Sequence, residues 1–234
     1  MSMGLFEQKL LDLRAKLIEM GRDVLEMLKG AGEALTDFDR DKARAVMRAD
    51  REVNDLENRV VNKAITLIAT NQPVAGDLRF LASSLRLASE LERIGDLGSN
   101  LARRTIKLIK MEKEGVPSAP LPGKLPLMVE KALHLLETAL TAFETSDADL
   151  AREAIAYDDE IDELYKEIRN EALATVYSDG RRAKWGFEVC ILTYHIERLG
   201  DHATNVAEET VYMAQGKTIR HNHYGPEGPA SEGW

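Results

Sequence analysis

Residues 92–102 and 197–207 of the chain are near copies of one another. The first segment reads ERIGDLGSNLA and the second ERLGDHATNVA, which sets an offset of 105 residues. A second matched pair, DREVNDL at 50–56 and DDEIDEL at 158–164, has an offset of 108 residues. Two matched pairs at nearly one offset indicate that the same structural unit is built twice. The three-residue difference falls in a turn, where a change of length costs little.

Apolar residues recur every three or four positions through most of the chain. This is the period of one helix face, and it is seen first at Leu10, Leu13, Leu17, Met20, Val24 and Leu28. None of the seven prolines lies in the interior of a long periodic stretch, where it would break a helix. We predict helices at 5–34, 40–70, 77–112, 124–145, 147–177 and 181–214. The predicted fold is all-α: two tandem three-helix bundles, six long helices in total, related by an internal pseudo-twofold repeat.

Four of the prolines cluster in VPSAPLPGKLP, at 116–126, which is typical of a linker. We therefore divide the chain into a first three-helix repeat at 1–112, a Pro-rich linker at 113–126 and a second three-helix repeat at 127–215. The remaining segment, 216–234, is rich in glycine and proline, and we predict that it is a disordered tail.

The composition excludes several classes of function. A net charge of −9 argues against binding to bare nucleic acid or to an anionic membrane, although a local basic surface toward a partner is compatible with it. No apolar run approaches the roughly 18 residues that a membrane span needs. Cys190 is the single cysteine, so no intrachain disulfide can form, which fits a reducing compartment. We predict a cytoplasmic protein that associates with a membrane only through partners.

Two carboxylates interrupt the apolar stripe of the third helix. The stripe is predicted to run through Leu78, Leu81, Leu85, Ala88, Glu92, Gly95, Ser99, Ala102, Ile106 and Ile109. Glu92 thus takes a core position, Asp96 follows one turn later on the same face, and the neighbouring positions are small. Like charges at this spacing repel, and burial adds a larger desolvation cost.

Folding the second helix back on the third brings further polar residues to the same height. In an antiparallel hairpin, residues equidistant from the turn face one another. Asp50 with Asp96 and Asn54 with Glu92 share a midpoint at Pro73, in the predicted turn. In the second half, Asp158 with Asp201 and Asp162 with Glu197 share a midpoint between residues 179 and 180, again in a turn.

Four oxygen ligands that converge in this way favour a hard or borderline cation such as Mg²⁺, Mn²⁺ or iron. We define the first acid group as Asp50, Asn54, Glu92 and Asp96, and the second acid group as Asp158, Asp162, Glu197 and Asp201. All eight are candidate metal ligands. Asn100, Asn205 and His202 are candidates for supporting hydrogen bonds or for an extra ligand.

Three other interpretations stay open on the residues alone. The acids can form a solvated groove paired to Arg93, Arg198 or lysines. A di-iron carboxylate enzyme on a helical bundle is a second alternative, but such enzymes typically carry Glu-x-x-His pairs, and the acid motifs contain none. A metal-free helical adaptor or chaperone-like protein is the third.

The doubled E-R-[IL]-G-D-x-x-x-N, the upstream segments ADREVNDLE and AYDDEIDELY, and LRFLASSLRLASELERIGD resemble the PhoU family of bacterial phosphate-uptake regulators. The resemblance covers roughly residues 3–215. It implies two three-helix bundles, each with an E(D)-x-x-x-D site able to bind metal ions, including multinuclear iron or zinc clusters in some members. It also implies a non-enzymatic cytoplasmic accessory protein, often a homodimer. Such a protein works with the ATPase subunit of the ABC phosphate transporter and the phosphate-sensing histidine kinase, and represses the phosphate-starvation response.

The family motif carries over to Asp50, Glu92 and Asp96 in the first half, and in the second half to Asp158, Asp162, Glu197 and Asp201. Asn54 departs from the pattern, since an acid stands at the equivalent position of the other half. We therefore expect the first site to be weaker or differently loaded.

Overall fold

The computed structural model describes residues 4–219 as six long α-helices joined by short connections. The helices are α1 (Leu5–Thr36), α2 (Arg40–Asn71), α3 (Ala75–Lys113), α4 (Leu125–Thr145), α5 (Ala148–Ser178) and α6 (Ala183–Gln215), with a 3₁₀ turn at Gly180–Arg182. The all-α prediction is confirmed, and each predicted helix end lies within two residues of the observed one. The part of the predicted tail from 220 to 234 lies outside the described residues.

The repeat is visible in how the helices begin. Asp39 caps α2 by accepting hydrogen bonds from the backbone N–H groups of Asp41 and Lys42. Asp147, 108 residues later, caps α5 in the same way, through Asp149 and Leu150. A capping aspartate satisfies N–H groups that have no partner within the helix, so the same residue fixes the same start twice.

The helices pack as two bundles that share one long contact. Helices α1, α2 and α3 all contact one another, as do α4, α5 and α6, and the two sets meet chiefly where α3 packs on α6, with a smaller contact between α1 and α4. Buried leucine, isoleucine, valine, alanine and methionine side chains from all six helices form one core. The apolar faces that the sequence pattern predicted are therefore buried within each bundle and also where the two bundles meet.

Leu78 was predicted to begin the core stripe of α3, but its side chain is exposed. It lies in the first turn of α3, next to the exposed turn from α2, so no neighbouring helix covers it. The positions beside the acids behave as predicted: Gly95, Ser99 and Ala102 are all buried.

The connection from α3 to α4 lies against the helices rather than away from them. Its apolar residues Val116, Ala119 and Leu121 are partly buried against the core. Of these, Ala119 and Leu121 border a cavity of about 570 Å³ together with Phe38 and Trp185, and no member of either acid group lines it. No helix within residues 4–219 is long and apolar enough to cross a bilayer.

Candidate functional site

Each acid group lies between two antiparallel helices, in the predicted register. A β carbon placed at Gly95 of α3 would lie 3.9 Å from Oδ1 of Asp50, and one at Gly200 of α6 would lie 2.6 Å from Oδ1 of Asp158. Both aspartates are buried, at 8% and 4% exposure. Glycine is required for this approach at residue 200, because any side chain there would displace the carboxylate.

The first acid group holds like charges close together in a partly dry environment. Burial raises the pKa of Asp50 and the charge of Asp96 raises it further, whereas the side chains of Ser99 and Arg103 act in the opposite direction. Burial likewise raises the pKa of Glu92, with added repulsion from Asp96 and Glu57. Oδ1 of Asp50 and Oδ1 of Asn54 are buried and accept no hydrogen bond from the described residues. These oxygens lack the partners that a buried polar atom normally has.

The second acid group shows the same electrostatics more strongly. Burial, followed by the charges of Asp201 and Asp162, raises the pKa of Glu197 to about 7. Oε2 of Glu197 is buried and has no hydrogen-bond partner within residues 4–219. Arg198 offsets part of the repulsion, since its Nη1 lies 2.5 Å from Oδ2 of Asp201. A positive charge between α5 and α6 would reduce the remaining repulsion among the carboxylates of the second acid group.

The predicted supporting residues are divided between two places. Oδ1 of Asn100 accepts a hydrogen bond from Arg103, beside the first group. His202 Nδ1 and Asn205 Nδ2 lie 2.7 and 3.1 Å from the same oxygen of Glu90, Oε2, where α6 meets α3. His202 and Asn205 thus connect the two halves in the structure, and support of the metal ligands by them stays a prediction.

Sequence reasoning missed Glu57 as a member of the first site's surroundings. It follows Asp50 by seven residues, two helical turns, and so lies on the same face of α2. That spacing was available in the sequence as a signal. The equivalent position in the second half holds Tyr165. The first acid group thus has an additional acid nearby, Glu57. It lacks a carboxylate at Asn54, where the second acid group has Asp162.

Within residues 4–219 no three His, Cys, Asp or Glu side chains are arranged to hold one metal ion as they stand. The acid groups are therefore sets of neighbouring oxygen side chains, in which Asp50, Glu92 and Glu197 have raised pKa values, and not closed coordination shells. Metal binding by the eight candidate ligands stays a prediction.

These features define a class of protein: an all-helical chain made of two three-helix repeats, each with acids buried between its second and third helices. The profile of the PhoU domain matches residues 17–105 and 125–210, one match for each repeat. The chain belongs to the PhoU family.

Similar proteins cover nearly the full length of the chain. It is 35% identical over 214 residues to the phosphate-specific transport system accessory protein PhoU homolog of Rhizobium meliloti, covering 92% of this chain and 89% of that one. It is 33% identical over 216 residues to the homolog of Pseudomonas aeruginosa, covering 92% and 88%.

Two solved structures share the fold. The crystal structure of PhoU from Pseudomonas aeruginosa superposes with a TM-score of 0.85 at 33% identity, covering 91% of this chain and all of that one. The phosphate transport system regulatory protein PhoU from Streptococcus pneumoniae superposes with a TM-score of 0.81 at 26% identity, covering 92% and 100%. The predicted architecture and family are confirmed.

Proposed function

We propose that this protein is a cytoplasmic accessory protein of a phosphate-specific transport system and a negative regulator of the phosphate-starvation response. It acts by binding the ATPase subunit of the transporter and the phosphate-sensing histidine kinase, and it works as a homodimer. The observation that carries the proposal is the match of both repeats to the PhoU domain, together with relatives named as accessory proteins of that system.

A regulatory rather than enzymatic role is supported by the chemistry of the chain. Its relatives are named accessory or regulatory proteins. Burial raises the pKa of the Cys190 thiol, which makes that cysteine a poor nucleophile at neutral pH. In this proposal the protein acts by binding partner proteins through its helical surfaces.

The acid groups are proposed to hold metal ions that control those surfaces. The observations in favour are the buried oxygens without hydrogen-bond partners at Asp50, Asn54 and Glu197, and the burial and mutual repulsion that raise the pKa values of Asp50, Glu92 and Glu197. Carboxylate and amide oxygens suit iron, manganese or magnesium, and zinc is compatible with carboxylates. A bound cation supplies positive charge between two helices. Such a cation can shift the protein between two conformations only if it binds one conformation more tightly than the other, and the shift is set by that difference in affinity.

The partner part of this proposal is tested by pull-down from cells grown in high phosphate. Recovery of the transporter ATPase and the sensor kinase with the full chain supports it. Deletion of the gene should turn on phosphate-starvation genes in high phosphate. Failure to bind either partner, with unchanged gene expression in the deletion strain, would show the proposal to be wrong.

The metal part is tested separately by elemental analysis of protein purified without chelators or metal-affinity resin. The chain with both Glu92→Ala and Glu197→Ala should carry less metal and bind its partners more weakly. Bound metal that is unaffected by both changes would place the ions elsewhere. Absence of metal, with a melting temperature that iron, manganese, zinc and magnesium leave unchanged, would favour the metal-free adaptor.

A further inference from the structure

A groove runs along the first bundle between α1 and α2. Its floor is apolar, with Met27, Val46 and Val53 buried, and the exposed side chains of Asp23 and Glu52 lie at its rim. Its volume is about 380 Å³, and no member of either acid group lines it. This volume lies within the range of ligand pockets, about 300–1,000 Å³. We define the acidic groove as the surface formed by these five residues and Ala49.

An offset of 108 residues relates the acidic groove to the surface between α4 and α5. The turns before α2 and α5 each place a residue with positive φ directly before the capping aspartate, Phe38 at 51° and Ser146 at 58°. In both turns the backbone N–H of that aspartate donates to the carbonyl five residues earlier. The offset therefore holds on both sides of the turn. It pairs Asp23 with Lys131, Ala49 with Tyr157 and Glu52 with Glu160.

The second half holds an ammonium group at this place. Nζ of Lys131 in α4 lies 2.6 Å from Oε2 of Glu160 and 3.1 Å from the hydroxyl of Tyr157, both in α5. It also lies 4.8 Å from the centre of the Tyr157 ring. The lysine side chain is only 21% exposed, so its methylene chain is covered as well. The repeat thus shows that an alkylammonium chain fits between these two helices.

The first half has the matching carboxylate without the ammonium. An acid, Asp23, stands where the second half has its lysine, and neither Asp23 nor Glu52 forms an ion pair with another residue of the range 4–219. Burial raises the pKa of Asp23, and the charges of Glu19 and Glu52 raise it further. Ala49 has no ring to fill the place that Tyr157 takes in the second half. The groove is left open, with like charges at one end.

The other charges that line the groove are already paired. Glu26 pairs with Lys29, and Glu33 pairs with Lys42, the one cation among the described residues that line the groove. Negative charge without a partner is therefore confined to the end at which Asp23 lies. A single charged end beside an apolar floor suits a chain with one ammonium, whereas a diamine would place its second charge on the floor or beside Lys42. A metal ion is disfavoured, since no three acids within residues 4–219 are arranged to hold one.

We propose that the acidic groove binds a lysine side chain of a partner protein, an inference that rests on the partner binding proposed above. The ammonium lies between Asp23 and Glu52, in the place that Lys131 takes in the second half. The methylene chain lies on the apolar floor, as lysine stems do when only their charged ends reach polar groups. Ion pairs across an interface of this kind select a partner by its charge.

The first test compares binding of the full chain to the purified ATPase subunit and to the purified kinase by calorimetry. Asp23→Lys installs the residue of the second half, so its own ammonium pairs with Glu52 and repels the incoming lysine. We expect binding of at least one partner to be about tenfold weaker. The control is Glu153→Lys, which changes the net charge equally at an exposed position of α5 and should bind as the wild type does. Circular dichroism confirms folding, which is expected because the second half folds with lysine at this place.

The second test identifies the source of the ammonium by carbodiimide cross-linking, which joins a carboxylate to an amine in contact with it. In a complex with that partner, mass spectrometry should find Asp23 or Glu52 joined to a lysine of the partner. The link between Lys131 and Glu160 within the chain is the positive control. A link from the groove to a lysine of a second copy of this chain, with none to a partner, would overturn the inference.

The outcomes separate the two proposals. Equal binding of both partners by the wild type and by Asp23→Lys would show that the acidic groove is not the lysine site, with the proposed function intact. Equal weakening by Asp23→Lys and Glu153→Lys would assign the effect to net charge and also overturn the inference. Absence of binding by the wild type would count against the proposed function and this inference together.

Discussion

The backbone of α6 at Gly200 passes directly against the carboxylate of Asp158. A β carbon at residue 200 would lie 2.6 Å from Oδ1 of this aspartate, whereas at the equivalent Gly95 the distance to Oδ1 of Asp50 would be 3.9 Å. Both halves thus place a glycine against a buried aspartate, and the approach is closer in the second half. A methyl group added at residue 200 would therefore contact the carboxylate of Asp158 directly.

Gly200→Ala should destabilise the protein, and Gly95→Ala should have little effect. Alanine gains about 1 kcal/mol of helix propensity at either residue. At 200 it must displace a buried carboxylate, and overpacking of this kind costs about 1–3 kcal/mol. At 95 the nearest atom is Cγ1 of Val53, at 3.2 Å, which requires only a small shift. Urea denaturation of both variants measures the difference, and equal stabilities would contradict the tighter packing at 200.

Stability should fall as the pH rises from about 4.5 to about 7 in protein freed of metal by a chelator. The folded protein keeps a proton on Glu197 up to a pKa of about 7, against 4.5 in the unfolded chain, so it binds more protons than the unfolded chain across this range. The stabilising contribution is complete below pH 4.5 and is lost as the pH passes through 7. Raised pKa values of Glu92 and Asp50 act in the same direction.

The variant Glu197→Gln should remove most of this pH dependence. We expect it to be more stable than the wild type at pH 8 by about 1–2 kcal/mol, allowing for solvent that screens a half-buried group. Glu153→Gln, at an exposed position of α5, is the control and should follow the wild-type curve. A wild-type denaturation midpoint that stays flat from pH 4.5 to 8 would refute the prediction.

Asn54→Asp should make the first acid group resemble the second. The fourth carboxylate should tighten binding of Mn²⁺ at the first group on the order of tenfold, because ligand charge sets affinity for such ions. Without metal the same change should lower stability at neutral pH, since it adds repulsion to Asp50 and Glu92. Calorimetric titration with Mn²⁺ measures the affinity, with Asp162→Asn as the reciprocal variant. Identical titrations for all three proteins would argue against a metal site at these residues.

Glu188→Ala should destabilise the contact between the halves. Glu188 is 2% exposed and accepts hydrogen bonds from Arg104 and Lys107 of α3, at 3.0 and 2.6 Å. Its removal leaves two cations facing each other without an anion, at a cost of about 2–3 kcal/mol, below the fully buried case because both cations reach solvent. Lys107→Ala should cost less than about 1 kcal/mol. Urea denaturation ranks the two variants, and the opposite order would contradict this account.

The helices and the register of the acid groups could be predicted from the sequence because both depend on local spacing. Apolar residues at helical period, with prolines only at the breaks, indicate where each helix begins and ends. Once α2 and α3 pair antiparallel around Pro73, Asp50 must come to the height of Asp96, and the structure places it against Gly95. The prediction that Leu78 is buried was wrong because apolar periodicity shows which residues share a helix face. It does not show how far the neighbouring helices extend along that face.

The contacts between the halves could not be predicted in this way. Glu90, His202 and Asn205 meet only because α3 packs on α6, and no spacing within one helix specifies which helix of the other half covers it. The same holds for Glu188, which reads in the sequence as one more acidic residue on a helix. The two acid groups could be predicted to come together because each set lies within one hairpin.

Helix α6 links the second acid group to the contact between the halves. Its Glu197 and Asp201 belong to the second acid group, and its His202 and Asn205 lie against Glu90 of α3. Asn205 follows Asp201 by one helical turn, so the two side chains share a face of α6. An ion held by the second acid group would therefore act on the same stretch of helix that contacts the other half of the molecule.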